Sequence, residues 1–131
     1  MRRSIDDVYA AACARLDRLD PRSALAEAEA GALVVDIRAQ DARRVTGTVP
    51  GSLHIPRTVL EWRVDPDSAW RNPHVRGLDA RLILICDHGR SSALAAAGLR
   101  ELGFARATDV AGGFEAWLAA RLPVVPAREA P

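Results

Sequence analysis

One cysteine lies at an abrupt change in the character of the chain. The apolar run "LILI", residues 82–85, ends at Cys86, which is followed by the polar stretch "DHGRSS" and then by an alanine-rich segment. An apolar run without polar alternation predicts a strand that is buried on both faces, as in a parallel sheet. A helix is predicted to begin near Ser91 or Ser92. The cysteine is therefore expected where a buried strand ends and a helix starts.

This placement favours an anion-binding loop that carries a reactive thiol. Ligands of open α/β sheets bind at the carboxyl ends of the strands, and a helix N-terminus adds N–H groups and a positive dipole end. Thiols ionise more readily at helix N-termini and beside cations, here Arg90 or a protonated His88. The alternative is a buried cysteine that only packs. The candidate binding residues are Asp87, His88, Gly89, Arg90, Ser91 and Ser92.

Composition limits the class of protein. The 131 residues are 49% apolar and 27% charged, with a formal net charge of +1, which fits one globular domain and gives no basic footprint for nucleic acid. No apolar run reaches the roughly 18 residues of a membrane span. Two cysteines are few for a secreted disulfide scaffold. Asp6 and Asp7 follow the arginine pair at residues 2–3 without a signal core, so we expect a cytoplasmic protein with reduced thiols.

The first part of the chain predicts two helices. Apolar residues recur at three- and four-residue steps over residues 4–19, and Ser4 with Asp7 can form a capping box at the start. Asp20 followed by proline predicts the start of a second helix over residues 21–30. Cys13 falls on the apolar face of the first helix, where we expect it to pack without a chemical role.

The remainder of the chain alternates between predicted strands and helices. The stretches "ALVVDIR", "SLHI", "LILI" and "ATDV" predict four strands, and helical faces follow the third and fourth. Residues 57–79 fit this pattern less well and predict a short helix near residues 59–62 followed by a long loop. The tail "PVVPAREAP" is expected to be extended or frayed. This order is typical of an α/β sandwich with a mainly parallel central sheet and helices on both faces.

Four motifs resemble those of single-domain rhodaneses, the thiosulfate sulfurtransferase family. "CDHGRSS" resembles the rhodanese active loop, which starts with the cysteine and has a glycine three residues later. "VVDIR" resembles an early strand that ends in Asp-x-Arg, "GTVPGSLHIP" a Gly-His-Ile-Pro-Gly-Ala segment, and "VAGGFEAW" a Gly-Gly-x-x-x-Trp segment. The matches keep the family's order over about residues 32–123. They imply one rhodanese-like three-layer domain over residues 1–131, which includes the two N-terminal helices.

The resemblance also implies a reaction and its substrates. The Cys86 thiolate would attack the outer sulfur of thiosulfate or a persulfide donor and become a persulfide, from which a thiol or cyanide acceptor would remove the sulfur. A sulfur-accepting protein is a further candidate partner. The spacing of His54, His74 and His88 relative to the cysteines gives no metal-ligand pattern. We therefore assign no metal and no cofactor.

Several residues near the motifs need separate consideration. Asp87 stands where many rhodaneses have an arginine, and an acid there would disfavour the thiolate and repel anionic donors. Asp36 and Arg38 are candidates for supporting the site, but we favour a structural role in which Asp36 binds N–H groups at the strand end and Arg38 pairs with a carboxylate. Arg63 is a candidate for the mouth of the site.

Two other functions remain open at this stage. Cysteine-dependent phosphatases and arsenate reductases use Cys-x5-Arg, in which the arginine clamps the oxyanion through two hydrogen bonds. In this chain Ser92 takes that position, and Arg90 comes two residues too early. The second alternative is a persulfide carrier or regulatory binding module without turnover.

Overall fold

Four short strands form the centre of the structure, a computed structural model whose described residues are 1–128. All neighbouring strands are parallel, in the order β2-β1-β3-β4. The predicted parallel sheet is therefore confirmed: the strand "LILI" is present at its predicted length, and the other three predicted strands are present in a shortened form. The strands are β1 (Leu33–Asp36), β2 (Leu53–His54), β3 (Leu82–Ile85) and β4 (Thr108–Asp109).

Helices connect the strands, as a parallel sheet requires. The longest of those within residues 1–128 has 11 residues, and no helix there combines the length and apolarity needed to cross a bilayer. The helices are α1 (Ile5–Ala14), α2 (Pro21–Glu29), α3 (Gln40–Thr46), α4 (Leu60–Val64, after a 3-10 turn at Arg57–Val59), α5 (Ser91–Glu101) and α6 (Gly113–Ala119).

The sheet separates two apolar cores, because successive side chains of a strand point to opposite faces. Leu82, Leu84 and Cys86 belong to the core that includes α4 and α5. Ile83 and Ile85 belong to the other core, with side chains from α2 and α6. The helices thus cover both faces of the sheet, as predicted. The alternation also determines that the cysteine after β3 faces α5.

The first helix is shorter than the predicted span of residues 4–19. The capping box at Ser4 is present, but α1 ends at Ala14. The chain then extends so that Leu19 forms a parallel bridge with Val110, beyond the end of β4. The Leu19 N–H donates to the carbonyl of Asp109 at 3.0 Å. Edge pairing with the sheet therefore overrides the helical periodicity of residues 15–19.

The predictions for the second helix, for residues 57–79 and for the tail agree more closely with the structure than the prediction for α1. The second helix begins after Asp20, whose side chain accepts the Ser23 N–H, and ends one residue earlier than predicted. Residues 57–64 form the predicted short helical segment, and a loop follows. In the tail, Val125 makes an antiparallel bridge with Thr48. The end of the predicted extended tail, residues 129–131, lies outside the described residues.

Packing of α6 against the sheet should account for a large share of the stability. Trp117 is fully buried, and its Nε1–H donates to the carbonyl of Pro123 at 2.9 Å. We expect Trp117→Ala to lower the free energy of unfolding by about 3–5 kcal/mol, because it creates a cavity in the core. Leu118→Ala, at a position that is 43% exposed, is the matched control. Urea unfolding measures both variants, and equal losses would contradict the assignment.

Candidate active site

The sulfur of Cys86 lies at the N-terminus of α5. The residue is 7% exposed, and its Sγ accepts the backbone N–H of Gly89 at 3.2 Å and that of Ser92 at 3.3 Å. The Ser92 hydroxyl oxygen lies 3.3 Å from the same sulfur. Two N–H donors and the positive end of the helix dipole stabilise negative charge on this atom.

The loop of residues 86–92 presents N–H groups to the sulfur because its first carbonyls are bound elsewhere. The Phe114 N–H donates to the carbonyl of Cys86 at 2.8 Å, and the Glu115 N–H donates to that of Asp87 at 3.0 Å. These donors belong to the first turn of α6, where N–H groups have no partner within the helix. The first turn of α6 therefore holds the loop carbonyls away from the sulfur, so that the loop N–H groups face it.

Glycines allow the loop to approach α6 this closely. Gly89 has φ +82°, and a Cβ there would lie 2.6 Å from the Gly112 nitrogen. Gly113 has φ +64°, and its Cβ would lie 2.5 Å from the Cys86 carbonyl oxygen. Any larger residue would have to separate the two segments. The Gly-Gly pair recognised in the sequence is thus part of the site.

The charged side chains of the loop are exposed, and none of them hydrogen-bonds to the sulfur among the described residues. Asp87 is 54% exposed, with its Oδ1 3.9 Å from Nη1 of Arg38. His88 places Nδ1 2.6 Å from Glu115 Oε2, and both side chains are exposed. Arg90 and Ser91 are exposed as well. Among residues 1–128, neither predicted cation, Arg90 or His88, contacts the sulfur.

Asp36 and Arg38 form a buried ion pair beside the loop. Arg38 donates from Nη2 to Asp36 Oδ2 at 2.8 Å, and its backbone N–H donates to Oδ1 at 3.0 Å. The guanidinium carbon lies 4.1 Å from the centre of the Phe114 ring. This pair joins the end of β1 to the start of α6. The candidate mouth residue Arg63 instead donates to the Trp70 carbonyl at 2.6 Å.

A second ion pair, between partly buried Arg18 and fully buried Asp109, lies behind the sulfur, and the sequence motifs did not reveal it. Asp109 Oδ2 accepts the Ser92 hydroxyl at 2.6 Å. Arg18 binds both oxygens of the same carboxylate, at 2.9 and 3.1 Å, and these bonds raise the pKa of its guanidinium above the usual range. Arg18 also donates to the Gly89 carbonyl at 2.6 Å. The sequence signal that could have revealed this pair is Asp109, an acid inside the predicted strand "ATDV".

Cys13 lies in α1, as expected, but it is less buried than predicted. It is half-buried, and its Sγ lies 3.3 Å from Nη1 of Arg18. The expectation of simple packing on an apolar helix face was therefore incomplete, because the thiol also contacts a charged group. Both Cys13 and Cys86 are free thiols.

Comparison with known proteins identifies the family of the chain. The model of the Rhodanese-like domain matches residues 20–120. The chain belongs to the rhodanese-like domain family. Thiosulfate sulfurtransferase GlpE of Pseudomonas entomophila (strain L48) is 37% identical over 101 residues, which cover 76% of this chain and 83% of that protein. Relatives of this identity and coverage place the chain among the sulfurtransferases.

Solved structures of similar fold include proteins described by different functions. A protein of unknown function from Rhodopseudomonas palustris CGA009, described as a possible tyrosine phosphatase, is 30% identical, with a TM-score of 0.86 over 95% of this chain and 96% of its own. The human single-domain sulfurtransferase TSTD1 is 26% identical, with a TM-score of 0.65 over 78% of this chain and 95% of its own. Both solved structures therefore share the fold of this rhodanese-like domain.

The contact between the loop and α6 can be tested with an alanine at Gly89. Gly51 has a similar φ of +76° but open space around it, so Gly51→Ala measures backbone strain alone, about 1–2 kcal/mol. Gly89→Ala adds overpacking against Gly112 and should cost about 1–3 kcal/mol more in the free energy of unfolding. Because it displaces an N–H donor of the sulfur, sulfur transfer should fall about a hundredfold. Similar stability and activity in the two variants would contradict this account.

Proposed function

We propose that this rhodanese-like domain transfers a sulfane sulfur through a persulfide on Cys86. The thiolate of Cys86 attacks the outer sulfur of the donor and forms an S–S bond. With thiosulfate, the S–S bond of the donor breaks, and its electron pair leaves with sulfite. A nucleophilic acceptor then attacks the outer sulfur of the persulfide, and the electron pair of the breaking bond regenerates the thiolate.

The arrangement of donors around one sulfur supports this proposal. The N–H groups of Gly89 and Ser92 converge on Cys86 Sγ, so a thiolate is stabilised before attack and again when it leaves in the second step. Both steps pass through an anionic sulfur at this position. Fixed backbone donors supply this stabilisation without rearrangement during the reaction.

The charges at the mouth bear on the choice of donor and acceptor. Thiosulfate is a dianion, and Asp87 adds negative charge beside the loop. We propose thiosulfate or a persulfide as donor and a thiol or cyanide as acceptor, with a sulfur-accepting protein as the alternative. Two free thiols suit a reducing cytoplasm, which is the proposed location.

Phosphatase chemistry is the rival function, because a structural neighbour is described as a possible tyrosine phosphatase. A phosphoryl group has three equatorial oxygens whose charge must be stabilised. At the position of the Cys-x5-Arg arginine this chain has Ser92, which is fully buried and donates its hydroxyl to the Asp109 carboxylate. An acid thus lies behind the position where a phosphatase has a cation. This charge arrangement disfavours a bound phosphoryl group and therefore argues against phosphatase chemistry.

The proposal predicts that Cys86→Ser abolishes sulfur transfer from thiosulfate to cyanide without unfolding the protein. Incubation of the wild-type protein with thiosulfate should add the mass of one sulfur atom to the peptide that contains Cys86, as read by mass spectrometry. Cys13→Ser is the matched control and should retain both activity and persulfide. Hydrolysis of an aryl phosphate by the same preparation should not exceed that of Cys86→Ser.

Three outcomes of this experiment separate the candidate functions. Turnover with a Cys86 persulfide supports the enzyme. A stable persulfide without turnover on small acceptors indicates the carrier. Cys86-dependent hydrolysis of aryl phosphate, with no sulfur transfer from thiosulfate or a persulfide donor, would overturn the proposal in favour of the phosphatase.

The position of Asp87 predicts a charge effect on donor choice. Asp87→Asn removes a negative charge at the mouth, so kcat/KM for thiosulfate should rise about three- to tenfold, and the gain should shrink as salt is added. Glu101→Gln makes the same charge change at the far end of α5, about 15 Å along the helix, and should have little effect. An unchanged or lower kcat/KM in Asp87→Asn would show that this charge does not act on the donor.

A further inference from the structure

Arg18 contacts the active loop from outside the matched family domain. The match to the Rhodanese-like domain begins at residue 20, and Arg18 lies in the extended segment that follows α1. The bridge between Leu19 and Val110 fixes this segment beside β4. Its guanidinium is thereby placed against Asp109 and the Gly89 carbonyl. A residue outside the matched range thus places a charged group against the loop.

The Ser92 hydroxyl links this group to the reactive sulfur. It has one proton and lies between two acceptors, Asp109 Oδ2 at 2.6 Å and Cys86 Sγ at 3.3 Å. While the proton points to Asp109, the oxygen can only accept a hydrogen bond from the thiol. When the proton turns to the sulfur, the hydroxyl stabilises a thiolate. The charge on Asp109 therefore opposes the ionised sulfur.

Arg18 reduces the effect of the Asp109 charge on the Cys86 thiolate. The Arg18 guanidinium donates hydrogen bonds to both oxygens of the Asp109 carboxylate, which is fully buried. The carboxylate therefore depends less on the hydrogen bond from the Ser92 hydroxyl. The positive charge also compensates the buried negative charge at short range. We propose that Arg18 and Asp109 are positioning residues that set, through Ser92, how readily Cys86 ionises. This inference rests on the proposed role of Cys86 as the nucleophile of sulfur transfer.

Other charged groups around the sulfur and the Arg18 guanidinium stay constant across the test. Asp87 faces Arg38, His88 faces Glu115, and Arg90 is exposed. On α1, Tyr9 accepts a hydrogen bond from Arg18 Nη1 through its hydroxyl at 2.9 Å, and Cys13 lies beside the same nitrogen. None of these side chains is altered by a substitution at Arg18 or Asp109.

The test is the pH profile of iodoacetamide alkylation at Cys86, read by peptide mass spectrometry. Arg18→Gln leaves Asp109 uncompensated, so the midpoint should move to higher pH and alkylation at neutral pH should slow about tenfold. Asp109→Asn removes the opposing charge, so the midpoint should move to lower pH. Arg15→Gln, which loses an exposed pair with Glu101, is the control and should match the wild-type protein. Thermal unfolding of every variant accompanies the profile.

The opposite signs distinguish positioning from structural damage. Shifts of the same sign in both variants, or no shift in Arg18→Gln, would overturn the proposal. If Asp109→Asn does not fold, Ser92→Ala replaces it: the Arg18→Gln shift should shrink in that background, and an undiminished shift would overturn the link through Ser92. Alkylation needs no sulfur donor. Absence of sulfur transfer in the wild-type protein would therefore overturn the proposed function while the alkylation profile still decides the role of Arg18.

Discussion

The site depends on one short loop in which the carbonyl groups bind α6 and the N–H groups bind the sulfur. The carbonyls of Cys86 and Asp87 are bound by N–H groups of α6, and the N–H groups of Gly89 and Ser92 are left to bind the sulfur. Parallel strands bring the two segments to the same edge of the sheet. The glycines at the contact remove the Cβ atoms that would separate them. Fold and reactivity therefore share a single set of backbone hydrogen bonds.

Sequence reasoning predicted the parts of this arrangement that local patterns encode. The all-apolar run of β3, the cysteine after it and the start of α5 follow from periodicity and composition. The approach of the loop to α6 depends instead on which strands are neighbours. The pairing of Arg18 with Asp109 depends further on the bridge from Leu19 to Val110. That bridge also ended α1 early, because edge pairing of residues beyond Ala14 competes with their helical periodicity.

Two ion pairs flank the loop, one buried and one partly buried, and they contribute more to positioning the loop than to stability. Asp36–Arg38 lies on the side of α6, and Asp109–Arg18 lies behind the sulfur. Removing charges from water offsets much of the attraction within such pairs. Each carboxylate nevertheless accepts several hydrogen bonds of fixed direction, which hold strand ends and helix starts together. In this way the surroundings of the sulfur are fixed by groups that do not touch it.

The hydrogen-bond partners of the sulfur are neutral groups, and the Asp109 carboxylate bonds one of these partners, not the sulfur. Backbone N–H donors stabilise the thiolate in the same way whether the donor is thiosulfate or a persulfide, so they confer reactivity with little discrimination. Discrimination between donors must come from side chains at the mouth, where Asp87 is exposed and only loosely paired. The Asp109 carboxylate behind the sulfur is fully buried, and the hydroxyl of Ser92 is the group that bonds it and lies beside the sulfur. In the two proposals, reactivity and donor choice thus depend on different acids: Asp109, which is buried, and Asp87, which is exposed.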